Sequence, residues 1–113
     1  MAYDEDLANR FRNALDDLPG VVEKRMMGGL CFMVNGNMLG GADRAKDGMG
    51  RFMFRVGKDN ADEAEARPGA MPIKMGGRRM RGFFFVDAAT CDEEMLRDWI
   101  AVALGFVSSL PPK

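Results

Sequence analysis

The chain has 113 residues, a formal charge of −1 and 47% apolar residues, enough for one domain over residues 1–113 whose core needs no disulfide or metal. It has no histidine, the commonest general acid–base group, and two cysteines, Cys31 and Cys91, too far apart for the usual zinc spacings. The charge is uneven, −4 over residues 1–23, +6 over 24–81 and −3 over 82–113, and the acidic ends read most simply as solvated helix faces. No apolar run reaches the ~18 residues of a membrane span, and Met-Ala-Tyr-Asp-Glu-Asp is not a signal peptide. A cytoplasmic protein without membrane contact is expected.

Leu7, Phe11, Leu15 and Leu18 recur at helical spacing behind Asp4, Glu5 and Asp6, which sit at the end of the helix dipole that favours negative charge. Pro19-Gly20 should stop that helix. From Val21 the period falls to two, with Met26, Gly28, Leu30, Phe32 and Val34 on one face and Met27, Gly29, Cys31 and Met33 on the other. This reads as a single strand to Val34, bent at its glycines, with a hairpin at Gly28-Gly29 as the competing reading. Asn35-Gly36 is a strong hairpin signal, since both central residues of a type I′ turn need positive φ, and it returns the chain through residues 37–41. After a polar loop, Arg51–Val56 alternates, with Phe52, Phe54 and Val56 inward and Arg51, Met53 and Arg55 outward.

Residues 59–66 predict a short acidic helix ended at Arg67-Pro68-Gly69. Met71–Met75 and Arg79–Val86 predict two strands around Gly76-Gly77. Thr90 and Glu93 have the spacing of a capping box, opening a helix whose wide apolar stripe (Met95, Leu96, Trp99, Ile100, Val102, Ala103, Phe106 and Val107) makes it the main cover of the sheet. The order α-β-β-β-α-β-β-α predicts an α+β fold, a two-layer sandwich of helices on an antiparallel sheet.

No catalytic constellation emerges. The carboxylates fall on helices or turns, and Ser108 and Ser109 lack a partner base. Both cysteines read as buried small apolar residues, with a mildly activated thiol at Cys91, just before a helix, as the alternative. Gly76-Gly77 beside Arg78-Arg79 lacks the phosphate-loop pattern and reads as a turn. Eleven methionines, among them Met26, Met27, Met33, Met38, Met53, Met75 and Met80 on strands, form no tight array for copper and read as adaptable packing or a protein interface. No cofactor or metal is expected.

The most informative grouping is one sheet face. Arg51, Met53 and Arg55 should share it with Arg79, Arg81, Phe83 and Phe85, leaving Met80, Gly82, Phe84 and Val86 under the helices. Arg, Met and aromatic residues are enriched at protein interfaces. Arginines interleaved with aromatic rings also serve single-stranded nucleic acid. The interface is favoured, because a net +6 is modest for a nucleic-acid binder.

Arg25-Met26-Met27-Gly28-Gly29, the Phe32…Gly36 hairpin and Gly77-Arg78…Gly82-Phe83 together resemble the N-terminal domain of the TfoX/Sxy family. The resemblance runs from Leu18-Pro19-Gly20-Val21 to the closing Ser-Ser-Leu-Pro-Pro, with Met27 where the family often has an aromatic residue. It implies the two-layer architecture, likened to secretion-chaperone folds that tend to dimerise. It further implies regulation of bacterial competence genes through a partner transcription factor, with no enzymatic step. Full-length members carry a second, C-terminal domain, so a chain stopping at Lys113 is expected to be a stand-alone N-terminal domain, which leaves the competence role open. Gly28, Gly29, Gly36, Gly77 and Gly82 carry over as backbone features only. The reading is a regulatory or protein-interaction domain, a homodimer with a protein partner. A nucleic-acid-binding module is the first alternative, and an enzyme or small-ligand binder of unknown chemistry the second.

Overall fold

The computed structural model describes residues 4–16, 18–26 and 28–113, the side chain of Met75 excepted. In chain order the elements are α1 (Glu5–Ala14), β1 (Val21–Met26), β2 (Gly29–Val34), β3 (Asn37–Arg44), β4 (Gly50–Arg55), a 3-10 turn (Lys58–Asn60), α2 (Ala61–Glu65), β5 (Met71–Met75), β6 (Arg78–Asp87) and α3 (Glu93–Val107). The six strands form one antiparallel sheet in the order β1-β2-β3-β4-β6-β5. With α1 and α3 packed on one face, against β3 and β4, this is the expected α+β sandwich.

The first expected strand is two. Met26 pairs with Gly29, so the chain reverses through a two-residue connection in which Gly28 has φ 79°. Length explains the reversal. At about 3.3 Å per residue an unbroken strand from Val21 to Val34 would run roughly 45 Å, beyond the molecule's longest dimension of 35 Å. Glycine accepts the positive φ that such a turn requires. Met27, expected on the second face of that strand, lies outside the described residues. The next hairpin is as expected, with Asn35 at φ 52° and Gly36 at φ 82° between the paired Val34 and Asn37.

Asp4 caps α1, its carboxylate accepting from the backbone N–H groups of Asp6 (2.9 Å) and Leu7 (3.1 Å). The helix ends before Pro19-Gly20, at Leu15, where Asp16 turns left-handed (φ 51°). The expected Thr90–Glu93 capping box is not what opens α3. Asp92 is the N-cap, accepting from the Met95 N–H at 2.8 Å, while the Thr90 hydroxyl donates to the Asp87 carbonyl at 3.3 Å. Two capping-type residues compete here, and the tight turn after β6, in which the Thr90 N–H donates to the Asp87 carbonyl, takes Thr90. Asp92→Ala should therefore lower stability by about 1 kcal/mol, roughly 4 °C in melting temperature for a chain of this size. Thr90→Ala should cost less than half of that. Thermal unfolding of the two variants checks the assignment.

The core between sheet and helices is aromatic. Phe11 of α1 stacks on Phe32 (centroids 4.6 Å apart, 8° between planes) and lies 6.0 and 5.8 Å from Phe52 and Phe54. Trp99 of α3 stacks on Phe54 at 5.2 Å and tilts against Phe84 at 5.9 Å. Arg10 ties α1 to the loop before α3, donating to the carbonyls of Ala88 (2.9 Å) and Cys91 with its guanidinium 5.0 Å above the Phe52 ring. At the far end, Asn37, the buried polar residue of the core, donates to the Pro111 carbonyl (3.0 Å), and the Lys113 N–H donates to the Asn35 carbonyl (2.8 Å). The C-terminal tail is thereby pinned to the Asn35-Gly36 hairpin.

Candidate functional site

The sheet face away from the helices is built row by row by strand register. Lys24, Cys31, Gly41, Met53, Phe85 and Met71 are consecutive partners across all six strands. Alternation then places Val22, Met26 and Met33 on the same face. Of the three consecutive phenylalanines, Phe84 is buried beneath the helices, and Phe83 and Phe85 are half-buried on the open face. A trough of about 350 Å³ runs over this face, walled by Met26, Cys31, Met38, Met53, Ile73, Met80, Phe83 and Phe85. Gly41 also lines it, and a Cβ added there would run into the backbone of Leu30 and Cys31.

The charges of the trough are mostly internal to it. Arg51 donates to both carboxylate oxygens of Asp43, at 2.8 and 3.1 Å, and its guanidinium lies 3.6 Å from the Phe85 ring centroid. A two-pronged guanidinium–carboxylate pair stacked on an aromatic ring is held in one orientation. Arg55 points to the other end of β4, 5.9 Å from the Phe83 ring and 5.5 Å from Phe106 of α3. There a shallower hollow of about 240 Å³ is lined by Arg55, Lys58, Asp59, Arg81, Phe83 and Phe106.

Of the residues the sequence groups on this face, Arg51, Met53, Arg55, Phe83 and Phe85 come together as expected. Arg79 and Arg81 stay out of the trough, where Met80 takes the place beside Phe83, although Arg81 borders the smaller hollow with Arg55 and Phe83. The cause is a bulge in β6. Four residues, Met80 to Phe83, stand opposite Ile73 alone of β5, and Gly82 has φ 89°. The Gly82 carbonyl accepts from two successive N–H groups, Val56 at 2.8 Å and Gly57 at 3.3 Å. Strand alternation slips at such a point. Met80, expected under the helices, turns into the trough, while Arg79 pairs with Glu65 and Arg81 with Asp62 (3.3 Å), both on α2. Gly82 inside an alternating run is the sequence signal for this slip. Met26 and Cys31 join the trough because of the hairpin at Gly28, and Ile73 because of the same bulge.

The thiols are placed against nucleophilic chemistry. Cys31 and Cys91 are free and buried. Burial pushes both thiols up, helped at Cys31 by the Asp43 carboxylate, and Cys91 reaches about 11. The mild activation considered for Cys91 is therefore reversed: it is buried at the capping turn, and its desolvation outweighs the nearby Arg10. Among the described residues no group of three or more His, Cys, Asp or Glu side chains could hold a metal ion, and no helix is long and apolar enough to cross a membrane.

No curated protein and no solved structure matches this chain. A family model does match, that of the TfoX N-terminal domain, over residues 13–107, a span that takes in the whole sheet, the trough, α2 and α3. The chain belongs to the TfoX N-terminal domain family.

Proposed function

We propose that this is a non-enzymatic protein-interaction domain that docks its partner on the open sheet face. The observation that carries the reading is the character of that face: a methionine- and phenylalanine-walled trough whose arginine, Arg51, is already neutralised by Asp43. Apolar, aromatic and Arg-rich surface with little net charge is what the centre of a protein interface offers. Val22, 61% exposed, extends the apolar surface to the β1 edge, where a second copy would continue it as the homodimer expected for the family. The regulatory role in competence-type transcription, through a transcription-factor partner, belongs to the same proposal and rests on family membership.

The nucleic-acid alternative fares less well. Of the arginines it would use, Arg79 and Arg81 pair with α2 carboxylates and Arg51 with Asp43, which leaves Arg55 beside the Phe83 ring as its main cation. Sedimentation velocity over roughly 10–200 µM tests the dimer. A concentration-dependent dimer is expected, and Val22→Glu or Met53→Glu, each placing a charge on the face, should return it to monomer with the fold intact by circular dichroism. A wild-type chain monomeric throughout, or a dimer indifferent to both substitutions, would remove the open face as the self-association surface.

A further inference from the structure

Among the described residues Arg10, Arg12, Arg51, Arg55 and Arg67 are the half-buried arginines. Arg10 donates to two carbonyls, Arg12 pairs with Glu23, Arg51 with Asp43 and Arg67 with Glu63. Arg55 differs from them: among the described residues its guanidinium meets no carboxylate and no carbonyl. Rings hold it instead, Phe83 of β6 at 5.9 Å and Phe106 of α3 at 5.5 Å, both within the ~6 Å reach of a cation–π contact. Phe106 is itself fixed, because its ring lies where a Cβ on Gly57 would stand. Such contacts position a guanidinium and leave its five N–H donors without an acceptor. Half-burying those donors costs free energy that a bound anion would offset.

The hollow beside Arg55 has a cationic rim. Lys58 and Arg81 border it, with Asp59 as the opposing charge. Lys58 is exposed and has no acidic partner among the described residues. Arg81 reaches Asp62, which does not line the hollow, at 3.3 Å between side chains 52% and 91% exposed. A pair that open to water is worth little and yields to a better acceptor. The rim thus carries three cations against one carboxylate, whereas the arginine of the trough is neutralised by Asp43.

We propose that this hollow is an oxyanion site, with Arg55 as its receptor, for a phosphate monoester. The planar guanidinium fork matches phosphate oxygens two at a time. A monoester carries about 1.5–2 negative charges near pH 7, in keeping with the excess of cations on the rim, whereas a monocarboxylate would leave one cation over. The group has two sources, a free phosphorylated small molecule and a phosphorylated side chain of a protein seated in the trough, whose wall residue Phe83 also lines the hollow. The second source rests on the docking reading. The oxyanion site itself does not.

The test follows the arginine Nε–H and backbone amide signals of the ¹⁵N-labelled full chain during titration with inorganic phosphate at constant ionic strength. The Arg55 Nε–H signal, identified by its loss in Arg55→Gln, is expected to shift saturably with a Kd on the order of 1 mM. Those of Arg10 and Arg51, already engaged, should stay in place. Read from the Gly57 and Lys58 amides, Arg55→Gln should weaken phosphate about tenfold or more, the size of lost charge-assisted hydrogen bonds. Lys58→Glu, at an exposed position, should weaken it roughly fivefold and serves as the second variant if Arg55→Gln does not fold. Acetate should bind more weakly than phosphate by a similar factor. The site is overturned if the Arg55 signal has not moved by about 20 mM phosphate, well above the expected Kd, or if Arg10 and Arg51 move with it. The monoester assignment is overturned if acetate matches phosphate, or if a single-stranded oligonucleotide, whose phosphates are diesters, moves the same signals at far lower concentration. A phosphoserine peptide flanked by leucines separates the sources. Tighter binding than phosphate, with the Met53 methyl shifting, marks a docked protein; equal binding with Met53 in place marks a free ligand. Sedimentation reads the docking proposal separately, so a chain that dimerises through the open face and ignores phosphate would sink this inference alone.

Discussion

Trp99→Ala is expected to lower the stability of the chain by about 4 kcal/mol, the upper part of the ~3–5 range for truncating a buried Trp or Phe. Trp99 is 1% exposed and is where α3 is fastened to two strands at once, stacked on Phe54 of β4 and tilted against Phe84 of β6. The Arg67 guanidinium lies 5.8 Å above the same ring, so truncation also removes its cation–π partner, leaving behind a largely buried Arg67 Nε that has no hydrogen-bond partner. The rigid aromatic neighbours cannot collapse into the space, which places the cost near the top of the range. Against a typical total of ~5–15 kcal/mol, that is a large share. The melting temperature should fall by about 15 °C, with the urea m-value unchanged if the denatured state is unaffected. Val102→Ala, at a half-buried position on the same helix, should cost a third of that or less. Equal losses for the two would mean that α3 is held by its whole stripe and not by Trp99.

The aromatic core is legible in the sequence because its carriers are strictly periodic. Phe11 falls on the apolar stripe of α1, Phe52 and Phe54 alternate with arginines, and Trp99 lies on the stripe of α3. Local period predicts burial wherever one face of an element is wholly apolar. It was less informative at two glycines. Between Met26 and Val34 both faces are apolar, so alternation does not say whether the chain runs straight or doubles back at Gly28. The answer came from a global quantity, the limited size of the molecule. At Gly82 the alternation Arg-Met-Arg-Gly-Phe-Phe-Phe looks continuous, yet the residue opposite, Ile73, has one position where β6 has four.

The same logic explains which site residues were found. Arg51, Met53, Arg55, Phe83 and Phe85 lie on one side of the bulge in a regular stretch of the β4–β6 ladder, so counting by twos placed them correctly. Arg79 and Arg81 lie beyond it, where the count is off, and the acidic helix that receives them is too distant in sequence for strand periodicity to foresee. The capping residue of α3 was displaced for a related reason. Thr90 and Asp92 are both good caps, and the choice between them depends on where the turn after β6 ends.

Gly82 is thus the position at which fold and site are joined, and Gly82→Ala is the second substitution with a large expected effect. An added Cβ would stand 2.6 Å from the Gly57 carbonyl carbon, 2.8 Å from its oxygen and 3.0 Å from the Lys58 nitrogen. All three are backbone atoms, which no rotamer change can move aside. A left-handed φ for alanine costs about 1–2 kcal/mol, and displacing Gly57 weakens two hydrogen bonds to the Gly82 carbonyl, each worth about 1 kcal/mol. A loss of about 3 kcal/mol is expected. Gly77→Ala is the control, since Gly77 has a similar φ of 77° with nothing within 4 Å of a Cβ, and it should cost only the conformational part. A second readout separates strain from rearrangement. If the bulge persists, the Met80 methyl stays in the trough and only stability falls. If β6 instead straightens, alternation is restored, Met80 turns under the helices, and Arg81 leaves Asp62 to join Phe83 and Phe85 on the open face. That rearranged face would carry the arginine–aromatic pattern that single-stranded nucleic acid prefers, so salt-dependent binding of an oligonucleotide by the variant, and not by the wild type, would show that the bulge is what keeps this surface from being one.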